Sequence, residues 1–340
     1  MSKIATTVML LVLAAFTMAP VEPLITEKSL SKSGYGEKKM KKAPKKVFIN
    51  SFFVNYQLIA GAQATSISGH SKTGMTVALN GVEANQLQEV TNKAYQRFTK
   101  KLKDNGYEIV TADKAGETEL YTDWRRLQGG TPSKAQLVGY LSTAPADYDF
   151  FVKRVTKKGK SKRGFGIIDS APKLSKQLDD AVVFEGVFNF QYVMLDASYN
   201  YLMESSKVKA KVNFEMPTVA AAQSKEGWAG QGSGETSPTL ARFVYKGRAP
   251  GLGAESIIAY SPKKDIDIPG VIEEKKFKEY TANPNTPYSN SASLGILVDE
   301  EVKVSHWVQA DTEAYLAKAE ESLNGYLDFM VEKLLDSSGK

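Results

Sequence analysis

Lys46-Val47-Phe48-Ile49-Asn50-Ser51-Phe52-Phe53-Val54 begins abruptly after a run of lysines and is almost wholly β-branched or aromatic. That composition predicts a buried strand over 47–54. A helix follows from Glu83 to Asn105, where Leu87, Val90, Ala94, Phe98 and Leu102 recur at three- and four-residue spacing. Asn105-Gly106 ends it, with the glycine suited to a left-handed cap. Tyr107 to Thr111 then reads as a second strand. Strand–helix–strand implies parallel strands joined by a right-handed crossover. The fold expected is therefore α/β: a mixed β-sheet with helices packed on it, long loop insertions and a C-terminal helix.

The remaining pattern extends that expectation. Residues 55–81 are small and polar and read as loop or weak structure. Glu117 to Gln128 reads as a short helix carrying Leu120, Trp124 and Leu127, stopped by Gly129-Gly130-Thr131-Pro132. Leu137–Leu141 and Tyr148–Val155 have strand character. Seven basic residues and no acid lie between Lys153 and Arg163, which suggests a mobile loop. Ala171 to Leu178 is a helix with Pro172 in its first turn. Ala181 to Leu195 is a long strand. Lys207 to Met216 alternates strictly, with Val208, Ala210, Val212, Phe214 and Met216 on one face and Lys209, Lys211, Asn213 and Glu215 on the other. Leu240–Lys246 is a further strand, expected to pair back across the loop 217–239. Residues 262–292 read mostly as loop, and 294–308 as one or two strands. Asp311 to Leu335 is a strong terminal helix. The expected organisation is one domain over 47–335, with insertions at about 129–165, 217–239 and 262–292.

The N-terminus suggests export. Met1-Ser2-Lys3 is a short positive start, Ile4 to Met18 is almost wholly apolar, and Ala19-Pro20 follows. The apolar run is short for a membrane span, so residues 1–19 read as a signal peptide. The periplasm or cell envelope, or the extracellular space, is the expected location. Between Lys28 and Lys46 stand eight lysines and one acid, Glu37. With little to bury there, residues 20–46 are expected to be a disordered, lysine-rich linker. Lys38, Lys39, Lys41 and Lys42 are candidate contacts to an anionic membrane surface.

The chain has 340 residues and a net charge of +6, with 42% hydrophobic and 24% charged residues. Those proportions are ordinary for a packed globular domain. Cysteine is absent, which excludes disulfide scaffolds, thiol nucleophiles and thiolate metal sites. The basic excess sits in the N-terminal stretch, so nucleic acid is not the expected partner. The two histidines, His70 and His306, are far apart in sequence and do not suggest a metal site. His306, in Val304-Ser305-His306-Trp307-Val308, has core-like neighbours and reads as structural. No Gly-x-Ser-x-Gly elbow accompanies His70. Gly251-Leu252-Gly253 lacks the rest of a phosphate loop and reads as a turn. The acid pairs Asp179-Asp180, Glu300-Glu301 and Asp147/Asp149 read as solvated. No catalytic, metal or cofactor-binding residue is assigned, and no cofactor is expected. Trp228, among the glycines of 225–235, is a candidate partner contact.

Two stretches carry a family resemblance. Lys46-Val47-Phe48-Ile49-Asn50-Ser51-Phe52 resembles the opening strand of exported α/β domains of the curli-channel subunit CsgG and TolB N-terminal type. Leu174 to Gly186, through Asp179-Asp180-Ala181-Val182-Val183-Phe184-Glu185-Gly186, is similar to their helix-to-strand passage. The resemblance implies a non-enzymatic envelope protein acting through contacts with other envelope proteins in an assembly or secretion apparatus, with a homo-oligomer as one form. The chain lacks the cysteine that anchors such a channel subunit by lipid. The alternatives are an exported hydrolase acting on a polysaccharide or ester, and an oligomeric outer-membrane pore subunit.

Overall fold

The structure is a computed structural model that describes residues 23–65, 72–162, 169–200, 205–221, 236–248, 253–272, 275–281 and 304–339. The proposed signal peptide, His70, Trp228, Gly251-Leu252 and Glu300-Glu301 lie outside the described residues. The chain mixes helix and strand, and strand predominates.

In chain order the elements are β1 (Leu30–Lys32), a 3-10 helix (Glu37–Lys42), β2 (Lys46–Gln57), β3 (Ile59–Thr65), β4 (Lys72–Asn80), α1 (Ala84–Asp104) and β5 (Glu108–Ile109). Next come α2 (Ala112–Gly116), a 3-10 turn (Glu119–Tyr121), β6 (Arg125–Gln128), β7 (Tyr140–Thr143), β8 (Asp149–Val152), β9 (Arg154–Val155), β10 (Ser161–Lys162) and α3 (Ala171–Gln177). The last group is β11 (Val182–Asn200), β12 (Ser205–Met216), β13 (Val219–Ala221), β14 (Thr236–Pro238), β15 (Leu240–Gly247), β16 (Ala254–Pro262), β17 (Ile266–Asp267), β18 (Lys275–Thr281), β19 (His306–Gln309) and α4 (Thr312–Ser338).

β11 organises the molecule. Its first half pairs parallel with β2, Val182 opposite Val47 through Phe190 opposite Tyr56, and antiparallel with β15. Its second half leaves β2 and pairs antiparallel with β12, with a register irregularity between Gln191 and Val193. The hand-over exposes backbone N–H groups that water cannot reach, and a buried donor without a partner is costly. Gln57, the last residue of β2, resolves this: its side-chain oxygen accepts from the N–H of Tyr192 and of Val193, each at 3.1 Å. β1 and β16 extend the sheet beyond β15, and β5 and β7 flank the two ends of β2.

β3, β4 and β19 form a separate three-stranded sheet. Its buried residues, among them Ala60, Ala64, Met75 and Val77, join those of β12 (Val208, Ala210 and Val212) in one core cluster. Thr73 and Ser206 hydroxyls meet at 2.6 Å in this layer. α1 and α4 pack against the face of the main sheet that carries Phe52, Phe184 and Phe188. Phe188 lies 5.3 Å from the Tyr326 ring of α4 and 5.8 Å from Phe52. α1 is capped by Asn105, and Gly106 follows at φ 82°, a conformation that favours glycine. Arg97 and Lys101 of α1 reach Asp328 of α4 at 2.6 and 2.9 Å.

Several elements differ from expectation. Ile59–Thr65 and Lys72–Asn80 are paired strands and not loop, because small residues let two sheets approach closely where an apolar pattern is weak. Residues 117–128 are not a helix: Tyr121 stacks on Phe151 at 4.1 Å, and Arg125–Gln128 pair with Asp149–Val152. Within the basic stretch 153–163, Arg154–Val155 pair with Ser161–Lys162 as a short hairpin. β15 pairs with β11 and β16 and not across to β12. Within 262–292, Ile266–Asp267 and Lys275–Thr281 are strands on β12. The segment 23–46 is ordered: Leu30–Lys32 pair with β16, and Ile25, Leu30 and Met40 are buried in the main core. Those apolar side chains, spaced among the lysines, anchor it.

Candidate binding groove

The two faces of the main sheet differ beyond the small second core in which Phe48, Val183 and Val244 pack with Leu174 of α3. One is the apolar face under α1 and α4. On the other, the strand period places Asn55 and Gln57 of β2 beside Asn189 and Gln191 of β11, and the register irregularity at Asn50 brings it onto the same face beside Glu185. All six are polar, and five of them are buried. Buried polar groups are stable only when paired, and here they pair with one another. Asn55 Nδ2 donates to Asn189 Oδ1 at 2.8 Å, while the Ser142 hydroxyl donates to Asn55 Oδ1. Asn189 Nδ2 donates to the Ser237 carbonyl at 2.9 Å and to the Thr239 hydroxyl at 3.0 Å.

This ladder floors an open groove of about 480 Å³. Asn55, Ser142 and Val187 form the base, Phe53 and Phe150 one wall, and the 128–136 segment with Thr236 and Ser237 the rim. Phe53 and Phe150 meet edge to face at 5.1 Å. Gly129 lets the rim close in, since a Cβ there would sit 2.0 Å from the Pro145 carbonyl oxygen. None of the described lining residues is titratable. Amides, hydroxyls and aromatic edges can hydrogen-bond and stack on an uncharged ligand, and they offer no general acid or base.

Farther along the same face the ladder becomes charged. The Tyr121 hydroxyl donates to Asn50 Oδ1, and Asn50 Nδ2 donates to Glu185 Oε1 at 2.7 Å. Arg242 binds Glu185 and, through two N–H groups at 2.8 and 2.9 Å, Asp169. Burial works against the Arg242 guanidinium, but Glu185 and Asp169 outweigh it and raise its pKa. This network is fully paired and ties β2, β11 and β15 together.

A second cleft, of about 680 Å³, runs between α1 and β8. Arg126 holds both Asp113 and Asp149 there, with its Nε 3.0 Å from Asp149. Burial, with the charges of Asp147 and Asp149, pushes the Tyr95 hydroxyl up to about 12. Two carboxylates sharing one guanidinium do not make the opposed acid and base that glycoside hydrolysis uses.

The other residues singled out in the sequence are scattered. Asp179 pairs with Lys114 at 3.0 Å and Asp180 with Lys246 at 2.9 Å, both on the surface. Lys38, Lys39, Lys41 and Lys42 are exposed on the 3-10 helix that packs on α4. His306 is half-buried on β19, but its neighbour Trp307 is 64% exposed, against the core-like expectation. The groove itself was not foreseen. Its signal is the alternation Asn55…Gln57 and Glu185…Asn189…Gln191, which apolar periodicity hides; Asn50 joins the same face only through the register irregularity beside it. Among the described residues there is no group of three or more metal-ligating side chains, and no helix is long and apolar enough to cross a membrane.

Compared with known proteins, the chain matches no family model, no curated protein and no solved structure.

Proposed function

We propose that this is a non-enzymatic, exported component of the cell envelope that works by docking a partner protein in an assembly or secretion apparatus. The observation that carries this reading is the neutral groove lined by Asn55, Gln128, Gln136 and Ser142. Its amides and hydroxyls suit the backbone and uncharged side chains of an extended partner segment, and Phe53 and Phe150 suit an apolar anchor within it. The exposed indole of Trp307 and the lysines 38, 39, 41 and 42 add contact area outside the groove. The resemblance of 46–52 and 174–186 to exported α/β domains favours the same kind of role.

The test is site-specific photo-crosslinking in the source cells. A photoreactive residue at Thr131 or Gln136 is expected to trap one defined envelope protein, and Ser142→Trp, which fills the groove, is expected to abolish the crosslink. Hydrolysis of a polysaccharide or ester by the purified chain, lost in the same Ser142→Trp variant, would overturn the proposal.

A further inference from the structure

The strands β11, β12 and β18 present a face that neither the groove nor the core uses. Lys207, Lys209 and Lys211 alternate with the buried Val208, Ala210 and Val212, so their side chains point away from the β3–β4 layer. Register sets Lys209 opposite Lys278 and Lys211 opposite Lys276 on β18. On β11 the opposite residues are Met194, Asp196 and Ser198. Lys209, Lys211 and Lys278 are exposed, and Met194 is 49% exposed.

Like charges directly opposite each other across strands destabilise a sheet. The contact with the Lys209 ammonium, then desolvation and the charges of Lys209 and Lys278, hold Lys207 below the ordinary lysine pKa, with Asp196 opposing the shift. Asp196, opposite Lys209 on β11, offsets part of this charge, and the face keeps a net positive charge that an anionic partner complements. The array is two-dimensional, with strands about 4.8 Å apart and same-face residues about 6.8 Å apart along each strand. It has no walls, so it fits a plane better than a single threaded chain. It is built from lysine, a hydrated point charge, and not from arginine, whose fork recognises individual phosphates. Met194 adds a soft apolar contact at its edge.

We infer that the β11–β12–β18 face is a docking surface for an anionic lipid bilayer. This goes beyond the proposed partner docking and stands or falls separately, because none of these residues lines the groove. Co-sedimentation of the full chain with vesicles tests it, comparing neutral phosphatidylcholine with mixtures containing phosphatidylglycerol. Binding is expected only to the anionic vesicles and to weaken with salt. K209Q/K211Q/K278Q should reduce it by about 100-fold, taking about fivefold per lysine. K209R/K211R/K278R should retain it, and K38Q/K39Q/K41Q/K42Q should leave the effect of the triple variant intact. Capture through the apolar N-terminal segment would differ, since neutral vesicles would bind equally. The inference fails if the folded triple variant binds anionic vesicles as tightly as the unaltered chain. It fails equally if the face retains heparin but no vesicle, which would assign it to a soluble polyanion.

Discussion

Asn55 and Asn189 stand directly opposite each other in the parallel β2–β11 pair, joined by a 2.8 Å hydrogen bond and buried. This contact joins the two strands at the floor of the groove. Asn55→Ala removes the donor to Asn189 Oδ1 and the acceptor of the Ser142 hydroxyl, and an unsatisfied buried group costs about 1–3 kcal/mol. Urea denaturation is expected to show a loss of that size. A neutral result would mean that water replaces the amide.

The opposite face of the same strands rests on apolar packing. Phe188 is fully buried between Phe52 and Tyr326. Phe188→Ala should cost about 3–5 kcal/mol, the range for a large core aromatic. Phe188→Leu should cost clearly less. Equal losses in the two variants would contradict a close-packed site.

Asp328 makes the α1–α4 contact pH-dependent. Burial alone would raise its carboxyl pKa, but hydrogen bonds from Arg97 and Lys101 outweigh that and hold it below the ordinary value. A depressed folded pKa gives stability that is complete above the unfolded value of about 3.9 and is lost as pH falls through the folded one. The pair is partly exposed, so about 1 kcal/mol is expected at neutral pH. Asp328→Asn should be less stable than the unaltered chain at neutral pH, and the gap should close in acid. A gap independent of pH would reject the ion pair as its cause.

Glu215 has the opposite sign. Burial pushes its carboxyl up, with Asp265 and Asp267 adding to the shift and the hydrogen bond from Gln191 opposing it. The charged form is therefore disfavoured in the folded chain, and stability declines as pH rises from the ordinary glutamate value through the raised one. Glu215→Gln keeps an acceptor for Gln191 and removes the charge. Thermal melting should rise at neutral pH relative to the unaltered chain, and the advantage should vanish in acid.

Gly129 sets the shape of the groove rim. A side chain there collides with the Pro145 carbonyl, so Gly129→Val should cost about 1–3 kcal/mol by overpacking. The crosslink from Gln136 should fall with it, whereas Gly325→Ala in α4, where a Cβ would meet Ile25 at ordinary van der Waals distance, should leave the crosslink intact.

The chain by itself determined the elements whose apolar period is strong: the β2 core, α1 with its Gly106 stop, β12 with its lysine face, and α4. Their signal is local, because each must bury one stripe or one face whatever its neighbours are. Only the tertiary structure decided the rest. β11 changes partners where Gln57 satisfies Tyr192 and Val193, a non-local bond with no sequence signature. The β3–β4 pair rests on small residues whose value is the close approach of another sheet. The groove depends on asparagine and serine from β2, β7, β11 and β14, spread over about 180 residues, meeting on one face. A polar residue in a strand reads as solvent-facing until register supplies its partner, and register is set by pairing between distant segments.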